Sequence, residues 1–450
     1  MTSSKNKLNE FINNPSLALW KLSIPMMLGM SVQAIYMLID TAFIGKWVGG
    51  DALAGLGLIF PPMFIIMGIT FGLGSGATTV IAQKIGQEEK KQADNAAEHI
   101  IILGVILSIL FILIGIFLGD SLIQYQSDNN KVFSHASDYF YTMLIGTPFM
   151  VLSIFFRSIL SGEGDTLLPM KVLGLGTVIN LILDPPFIYY MQIKGAAIAT
   201  VTSQAVVFII FCYLMIFKKR SYISLNLKNF TFNIDIFNNI LKLGLPASLS
   251  MVIMSIGLFF YNSILNMSEY SISAIAAYST AHRIEHLFFI PIISLATSMV
   301  TLIGMFYGAR KFDLINYIFY YSIKVGIAIS IIFGFIFYFL SQYMLSLFTN
   351  DILIINIGAD YFKIFSFAIP FVTITMISSR CMQGLGKAYP MFIITCFRVI
   401  IISCSIAYYF IILLNKPLSY AWIAILISCF LSSIISYVWF LHTRKNILKN

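Results

Sequence analysis

Long runs of apolar residues alternate with short polar connections along nearly the whole chain. Each run is about 20 residues or longer, which suits a membrane-spanning α-helix and exceeds the length of a membrane-spanning strand. We count twelve such runs, so the pattern predicts twelve helical spans. Their expected limits are 17–44, 52–83, 96–119, 134–160, 167–190, 195–217, 238–265, 272–306, 317–340, 355–382, 389–413 and 419–442.

The charges of the connections predict the orientation of these spans. If the N-terminus is placed inside, the inner loops and tails hold 20 of the 28 lysine and arginine residues, and the outer connections hold four. Short loops on the cytoplasmic side of membrane proteins are enriched in these two residues. We therefore expect both termini in the cytoplasm.

Composition supports the assignment to a membrane. The chain has 450 residues, of which 59% are hydrophobic and 10% charged. A soluble domain has about 25% charged residues, so a soluble protein is excluded. The net charge of +9 follows from the topology and does not indicate a nucleic-acid partner. The five cysteines stand in apolar segments without paired spacing, and we predict neither disulfides nor a cofactor.

The second half of the chain repeats the first. Trp20–Pro25 (W-K-L-S-I-P) returns as Leu241–Pro246 (L-K-L-G-L-P), and Gly162–Asp165 (G-E-G-D) returns as Gly384–Lys387 (G-L-G-K). Six spans per copy make this a parallel repeat. The predicted fold class is an all-α integral membrane protein with twelve transmembrane helices in two pseudo-symmetric six-helix bundles around a central cleft.

The repeat also predicts how the chain is divided. The long connection after span six is expected to join the two bundles, which we call the N-lobe and the C-lobe. The expected divisions are a cytoplasmic N-terminal tail (1–16), the N-lobe (17–217), a cytoplasmic inter-lobe loop (218–237), the C-lobe (238–442) and a cytoplasmic C-terminal tail (443–450).

Only three acidic residues lie well inside the predicted spans: Asp40, Asp184 and Glu285. An ionisable side chain in an apolar helix indicates a functional site. Asn180 precedes Asp184 by four residues, so the two share one helical face. Two prolines follow Asp184, and we expect them to disturb the helix because proline lacks an N–H and clashes with the preceding turn.

Span topology brings polar residues to one depth of the N-lobe. Counted at 1.5 Å per residue, Asp40, Asp184 and Thr202 lie roughly 7–12 Å below the outer surface, and Asn180 is expected beside them. Carboxylate, amide and hydroxyl oxygens are hard ligands that suit a small cation. Neighbouring carboxylates can instead carry a proton. A structural role, with Asp40 capping a helix and Asp184 binding backbone freed by the prolines, stays open.

Other residues are candidates for lining the cleft. Gln33, Tyr36 and Met37 recur at helical spacing on span one among several methionines, a type of surface that adapts to mixed apolar cations. Ordinary packing is the alternative for this face. In the second half, the charged candidates within spans are Arg283, Glu285 and Arg398.

Two further patterns resemble enzyme motifs. His282, Glu285 and His286 match H-x-x-E-H, a zinc-peptidase pattern, but no third ligand is evident, so an intramembrane metallopeptidase is a minor alternative. Gly72–Ala77 (G-L-G-S-G-A) lies in mid-span without a phosphate-binding lysine, and close helix packing explains it better. Without a nucleotide site, transport would have to be driven by an ion gradient or be facilitated.

Several segments together resemble the multidrug and toxic compound extrusion (MATE) family, in particular its DinF-like bacterial branch. The resemblance rests on I-D-T-A-F-I-G at Asp40, N-L-I-L-D-P at Asn180, G-E-G-D-T-L-L-P at Gly162 and the twelve-span repeat. It implies a secondary active multidrug efflux transporter rather than an enzyme. Such a protein exports cationic amphipathic drugs and dyes in exchange for protons or Na⁺ by alternating access. We expect a monomer in the bacterial inner membrane.

The resemblance also carries residue roles. By position, Asp40, Asn180, Asp184 and Thr202 match the family's cation site in the N-lobe, which is a metal site if Na⁺ is the coupling ion. The NorM-like branch uses acids in spans seven and ten, and those spans lack interior acids here. Arg283 and Arg398 favour an alternative within the superfamily, a flippase or exporter of a lipid-linked or anionic substrate.

Overall fold

The computed structural model describes residues 3–125 and 129–449, and the described chain is built of helices. Residues 1–2 and 450 of the predicted tails lie outside the described residues. The α-helices are α1 (Ser3–Asn13), α2 (Pro15–Trp47), α3 (Gly50–Gly86), α4 (Lys90–Gln124), α5 (Asn130–Gly162), α6 (Leu167–Cys212), α7 (Ile234–Asn266), α8 (Ser271–Gly308), α9 (Phe312–Ser346), α10 (Ile352–Phe365), α11 (Ile369–Gly384), α12 (Tyr389–Cys396), α13 (Ser405–Tyr408) and α14 (Ser419–Lys449). Shorter helical turns are Tyr213–Phe217, Leu227–Asn229, Phe397–Cys404 and Tyr409–Leu413.

These helices supply the twelve predicted spans. Ten described helical segments are long and apolar enough to cross a membrane, and α10 with α11 forms an eleventh span that is bent by 58°. One of the ten, Leu167–Phe217, has 51 residues. At 1.5 Å per residue it is about 76 Å long, more than twice the hydrocarbon thickness of a bilayer. It therefore contains two spans, and the predicted fold class is confirmed as an all-helical, multi-pass membrane protein.

The two spans of α6 are joined at Gln192, whose backbone is non-helical (φ 53°, ψ −136°). The returning helix packs closely on the first, since a Cβ on Gly195 would lie 2.0 Å from the Phe187 carbonyl oxygen. Gly176 likewise faces Val207. The chain therefore reverses direction seven residues after Pro185, and the absence of a side chain at Gly195 permits the tight reversal.

The expected disturbance at the two prolines is not observed. Pro185 and Pro186 lie inside the helical part of α6, and Gln192 is the residue with non-helical angles. A proline removes one helical hydrogen bond but its φ near −65° is compatible with a helix. The backbone around Asp184 is consequently helical, and its side chain projects from a regular turn.

The described chain forms two compact units. Unit 1 consists of residues 3–9 and 24–248, and unit 2 consists of residues 10–23 and 249–449. Helices α2 and α7 therefore contribute one part to each unit. In unit 1, Ser248 Oγ of α7 donates a hydrogen bond of 3.0 Å to the Ile69 carbonyl of α3.

Glycines of α3 explain this close packing. A Cβ on Gly72 would lie 2.3 Å from the Ser248 nitrogen, and a Cβ on Gly76 would lie 2.6 Å from the Gly244 nitrogen. The glycine-rich run therefore brings two helix backbones together, as small residues do in membrane proteins. The sequence-based prediction of a packing surface is confirmed.

The connection between α6 and α7 is held against unit 1 by acidic side chains. Glu163, just after α5, accepts hydrogen bonds from Ser221 Oγ (2.6 Å), Tyr222 N (2.9 Å) and Ile223 N (3.2 Å). Burial raises the pKa of Glu163, and the Ser221 hydrogen bond and the nearby Lys7 oppose that rise. These contacts fix the first residues of the connection.

Unit 2 is built around an aromatic core. The Tyr361 ring packs against Trp422 and Tyr278, with ring centroids 5.0 and 5.5 Å apart. Trp422 and Tyr361 are at most 2% exposed. This core joins α8, α10 and α14, and it positions the part of α8 that carries Glu285.

Candidate functional site

A buried amide–carboxylate pair lies near the end of the first span of α6. Asn180 Nδ2 donates a hydrogen bond of 2.9 Å to Asp184 Oδ1. Asn180 is 3% exposed and Asp184 is fully buried. The helical spacing that the sequence showed is thus realised, and it aims both side chains into the interior of unit 1.

Helix α2 brings a second carboxylate to this pair. Asp40 and Asp184 lie close enough to share a hydrogen bond, which two carboxyl groups form only when one of them is protonated. Asp40 Oδ1 and Asp184 Oδ2 are buried, and the described residues offer them no hydrogen-bond donor of normal geometry. Buried polar atoms are normally satisfied, so these oxygens indicate a place for a proton or a cation.

Two tyrosines and a threonine complete the polar group around the carboxylates. Tyr36 and Tyr139 both lie within electrostatic reach of Asp40 and Asp184, and both hydroxyls approach Thr200. The Tyr36 hydroxyl is buried without a hydrogen bond of normal geometry among the described residues. The group therefore combines side chains from spans one, four, five and six.

Sequence reasoning chose Thr202 for this group, and the structure places Thr200 there instead. Thr202 is exposed, and among the described residues no hydrogen bond or charge interaction links it to the carboxylates. Thr200 and Thr202 are two positions apart on a helix, so their side chains point about 200° apart although they differ by only about 3 Å in height. Depth alone could not distinguish them. Sequence reasoning also missed Tyr139, because nothing distinguishes it from the neighbouring aromatic residues in the sequence.

The remaining N-lobe candidates lie on the same helix as Asp40. Gln33 is exposed and lines a cavity that also includes Met30 and Met170. Met37 is 57% exposed. Tyr36 belongs to the carboxylate group and Met37 does not, because a single residue step turns the side chain by about 100°.

The C-lobe candidates form a separate polar group within unit 2. Glu285 is 6% exposed, its Oε2 lies 3.3 Å from His282 Nδ1, and its Oε1 is buried without a hydrogen bond of normal geometry among the described residues. Arg283, by contrast, is exposed. Arg398 is half-buried and acts electrostatically on Tyr278 beside them.

The zinc-peptidase pattern does not assemble into a metal site. Among the described residues, no three His, Cys, Asp or Glu side chains converge closely enough to hold a metal ion. His282 and His286 are both exposed, whereas Glu285 between them points inward. A bound Na⁺ in unit 1 would instead use two carboxylates with amide and hydroxyl oxygens, which is a donor set suited to a hard cation.

Both halves of the chain match a known family of proteins. The MatE family model matches residues 25–186 and 246–409, one match in each half of the chain. A probable multidrug resistance protein, NorM of Thermotoga maritima, is 26% identical, with coverage of 94% of this chain and 91% of that protein. An FAD transporter of Shewanella oneidensis is also 26% identical, with 86% of each chain covered.

A solved structure has the same fold. It is that of a MOP superfamily transporter from Pyrococcus furiosus, described as having a binding pocket of reversed polarity, and it matches with a TM-score of 0.93 and 30% identity. The match covers 96% of each chain. The family model spans more than half of the chain, and the predicted resemblance is confirmed: this chain belongs to the MATE family of membrane transporters.

Proposed function

We propose that this protein is a secondary active multidrug efflux transporter that exports cationic amphipathic compounds in exchange for protons or Na⁺. Relatives that match most of the chain are named multidrug resistance or multidrug export proteins. The observation that carries the ion-coupling part is the carboxylate pair Asp40 and Asp184, each with a buried oxygen that lacks a described donor.

The geometry supports a simple coupling mechanism. Without an ion, two nearby carboxylates repel each other, and a proton or Na⁺ between them removes that repulsion. Because Asp40 is on α2 and Asp184 on α6, ion binding favours the arrangement in which these helices approach. An ion that binds one conformation better shifts the population toward it. We propose that this shift releases the substrate outside and that ion release inside resets the transporter.

Orientation and assembly are part of the proposal. The excess of basic residues in alternate loops supports cytoplasmic N- and C-termini and a location in the bacterial inner membrane. We propose a monomer as the transporting form, because each chain carries both repeats.

A second candidate is an exporter of anionic compounds built on the same fold. The relative from Shewanella named FAD transporter supports it, since FAD carries a pyrophosphate. The sequence-based arguments from Arg283 and Arg398 remain a hypothesis, and the exposure of Arg283 weakens the one from that residue.

The test is transport of a fluorescent organic cation in proteoliposomes under an imposed pH gradient and then under a Na⁺ gradient. Wild-type protein is expected to follow one gradient, and Asp40→Asn is expected to abolish coupled export while the protein stays folded and inserted. Asp360→Asn is the matched control, because Asp360 is an exposed carboxylate that pairs with Lys363. Undiminished gradient-driven export by Asp40→Asn would overturn the proposal.

A further inference from the structure

Arg157 is a charged side chain of unit 1 for which the described residues provide no partner. It stands on α5, five residues before that helix ends at Gly162. Its side chain is half-buried, and none of the described residues forms an ion pair or a hydrogen bond with its guanidinium. An unpaired charge removed from water is unfavourable unless a counter-charge or hydrogen-bond acceptor reaches it.

The guanidinium faces a cavity between α2, the end of α5 and the start of α6. The space between these helices is about 310 Å³ and includes open solvent at its mouth. Its lining includes Met26, Met30, Gln33, Thr166 and Met170. Among the described residues that line it, Arg157 carries the single charge and no carboxylate is present.

In the corresponding region of the second repeat, an arginine side chain has a hydrogen-bond acceptor. Arg380 lies four residues before the end of α11, and its Nη1 donates a hydrogen bond of 2.9 Å to Gln383 Oε1. Three residues after Arg157 the chain has Leu160, which offers no side-chain acceptor. Arg380 therefore has a side-chain acceptor three residues later, whereas Arg157 has none there and lines the cavity instead.

The cavity and the carboxylate group lie along the same two helices. Gln33 precedes Asp40 by seven residues on α2, and Leu173 precedes Asp184 by eleven residues on α6. At 1.5 Å per residue, these two lining residues lie about 10–17 Å along their helices from the carboxylates. A molecule with a cationic end and an anionic end would match this order of charges in unit 1.

We propose that Arg157 makes the inner cavity of unit 1 a recognition site for an anionic group, and that transported compounds include zwitterions whose carboxylate or phosphate pairs with it. The proposal rests on the proposed function and specifies its substrate class. Guanidinium binds these groups through two parallel hydrogen bonds, which gives direction as well as attraction. Gln33 and Thr166 lie in the same lining as further polar groups.

The experiment uses two dyes that differ only at the carboxylate. Rhodamine 110 has a free carboxylate and rhodamine 123 is its methyl ester, so fluorescence anisotropy with the full-length protein in lipid nanodiscs compares them directly. Wild-type protein is expected to bind the free acid about tenfold more tightly than the ester, as for one charge-assisted interaction.

Variants assign that preference to a residue. Arg157→Gln is expected to weaken the free acid about tenfold and leave the ester unchanged, and Arg157→Lys retains part of the preference because the charge remains. Arg380→Gln is the matched control and is expected to keep the wild-type preference. Equal wild-type affinities for the two dyes, or a preference that survives Arg157→Gln, would overturn the proposal.

A lipid phosphate has the same chemistry as a transported anion, and nanodisc composition separates them. The preference is expected to be equal in pure phosphatidylcholine and in a mixture with phosphatidylglycerol. If phosphatidylglycerol competes with the free acid in wild-type protein but not in Arg157→Gln, the occupant is a lipid, which contradicts a substrate site. Wild-type protein distinguishes the two proposals. Gradient-driven export of rhodamine 123 without a binding preference for the free acid would overturn only this proposal, and the binding preference without gradient-driven export would overturn only the proposed function.

Discussion

The side chains of Asn180 and Asp184 are locked together by a hydrogen bond of 2.9 Å one turn apart on α6. The amide donates to Oδ1, and Asp184 Oδ2 is buried without a described donor. Asn180 therefore orients the carboxylate, and we propose that the second oxygen binds the coupling ion. The spacing of four residues on one helix is therefore what allows Asn180 to hold the carboxylate of Asp184 for the proposed ion coupling.

Removing the amide is expected to impair coupling. Asn180→Ala leaves a buried carboxylate without its donor, and a hydrogen bond to a charged group contributes about 1.5–3 kcal/mol. We expect the initial rate of gradient-driven dye export in proteoliposomes to fall about tenfold or more, as for a barrier increase of that size. Asn262→Ala removes an amide from α7 as a control and is expected to export normally. Wild-type rates in Asn180→Ala would show that the amide does not orient Asp184 for transport.

Valine variants of Thr200 and Thr202 test which of the two hydroxyls belongs to the carboxylate group. Thr200 lies beside Tyr36 and Tyr139, whereas Thr202 is exposed. Valine keeps the shape of threonine and removes the hydroxyl. We expect Thr200→Val to lower coupled export several-fold, because about 1 kcal/mol is lost with one neutral hydrogen bond. Thr202→Val is expected to have little effect on the same transport assay, and the reverse ranking would contradict the placement of these two side chains.

The reversal within α6 predicts a stability effect at Gly195. A Cβ there would lie 2.0 Å from the Phe187 carbonyl oxygen, so Gly195→Ala requires the backbone to move. Overpacking of this kind costs about 1–3 kcal/mol or more, and thermal unfolding in detergent is expected at a lower temperature. Gly174→Ala is the matched control. No atom lies within 4 Å of its added Cβ, and alanine is the better helix former. Equal melting temperatures for the two variants would contradict the close packing.

The connection after α6 is expected to open when Glu163 is removed. Glu163→Ala deletes the acceptor of three hydrogen bonds from residues 221–223. Trypsin sites at Lys218, Lys219 and Arg220 lie directly before them. We expect limited trypsin cleavage there to be about tenfold faster, as for a local opening that is about 1.4 kcal/mol easier. Glu89→Ala removes an exposed ion pair with Lys84 and is expected to cleave like wild type. Unchanged cleavage in Glu163→Ala would show that other contacts hold the connection.

Helix limits followed from the sequence because a membrane span is set by length and hydropathy. The predicted break between 190 and 195 coincides with Gln192, although no proline or glycine marks that residue. The prediction of a disturbance at Pro185 was wrong, because neighbouring helical turns accommodate a proline without changing its backbone angles. Hydropathy therefore located the reversal better than the local residue type did.

The sequence by itself determined the twelve spans, the repeat, the family and the four-residue spacing of Asn180 and Asp184, since each depends on local periodicity or on matching segments. Tertiary structure decided which faces converge. It chose Thr200 over Thr202, added Tyr139 from another helix and left Arg157 facing a cavity without a counter-charge. These facts depend on helix rotation and on contacts between residues more than 100 positions apart, and a linear pattern does not specify either.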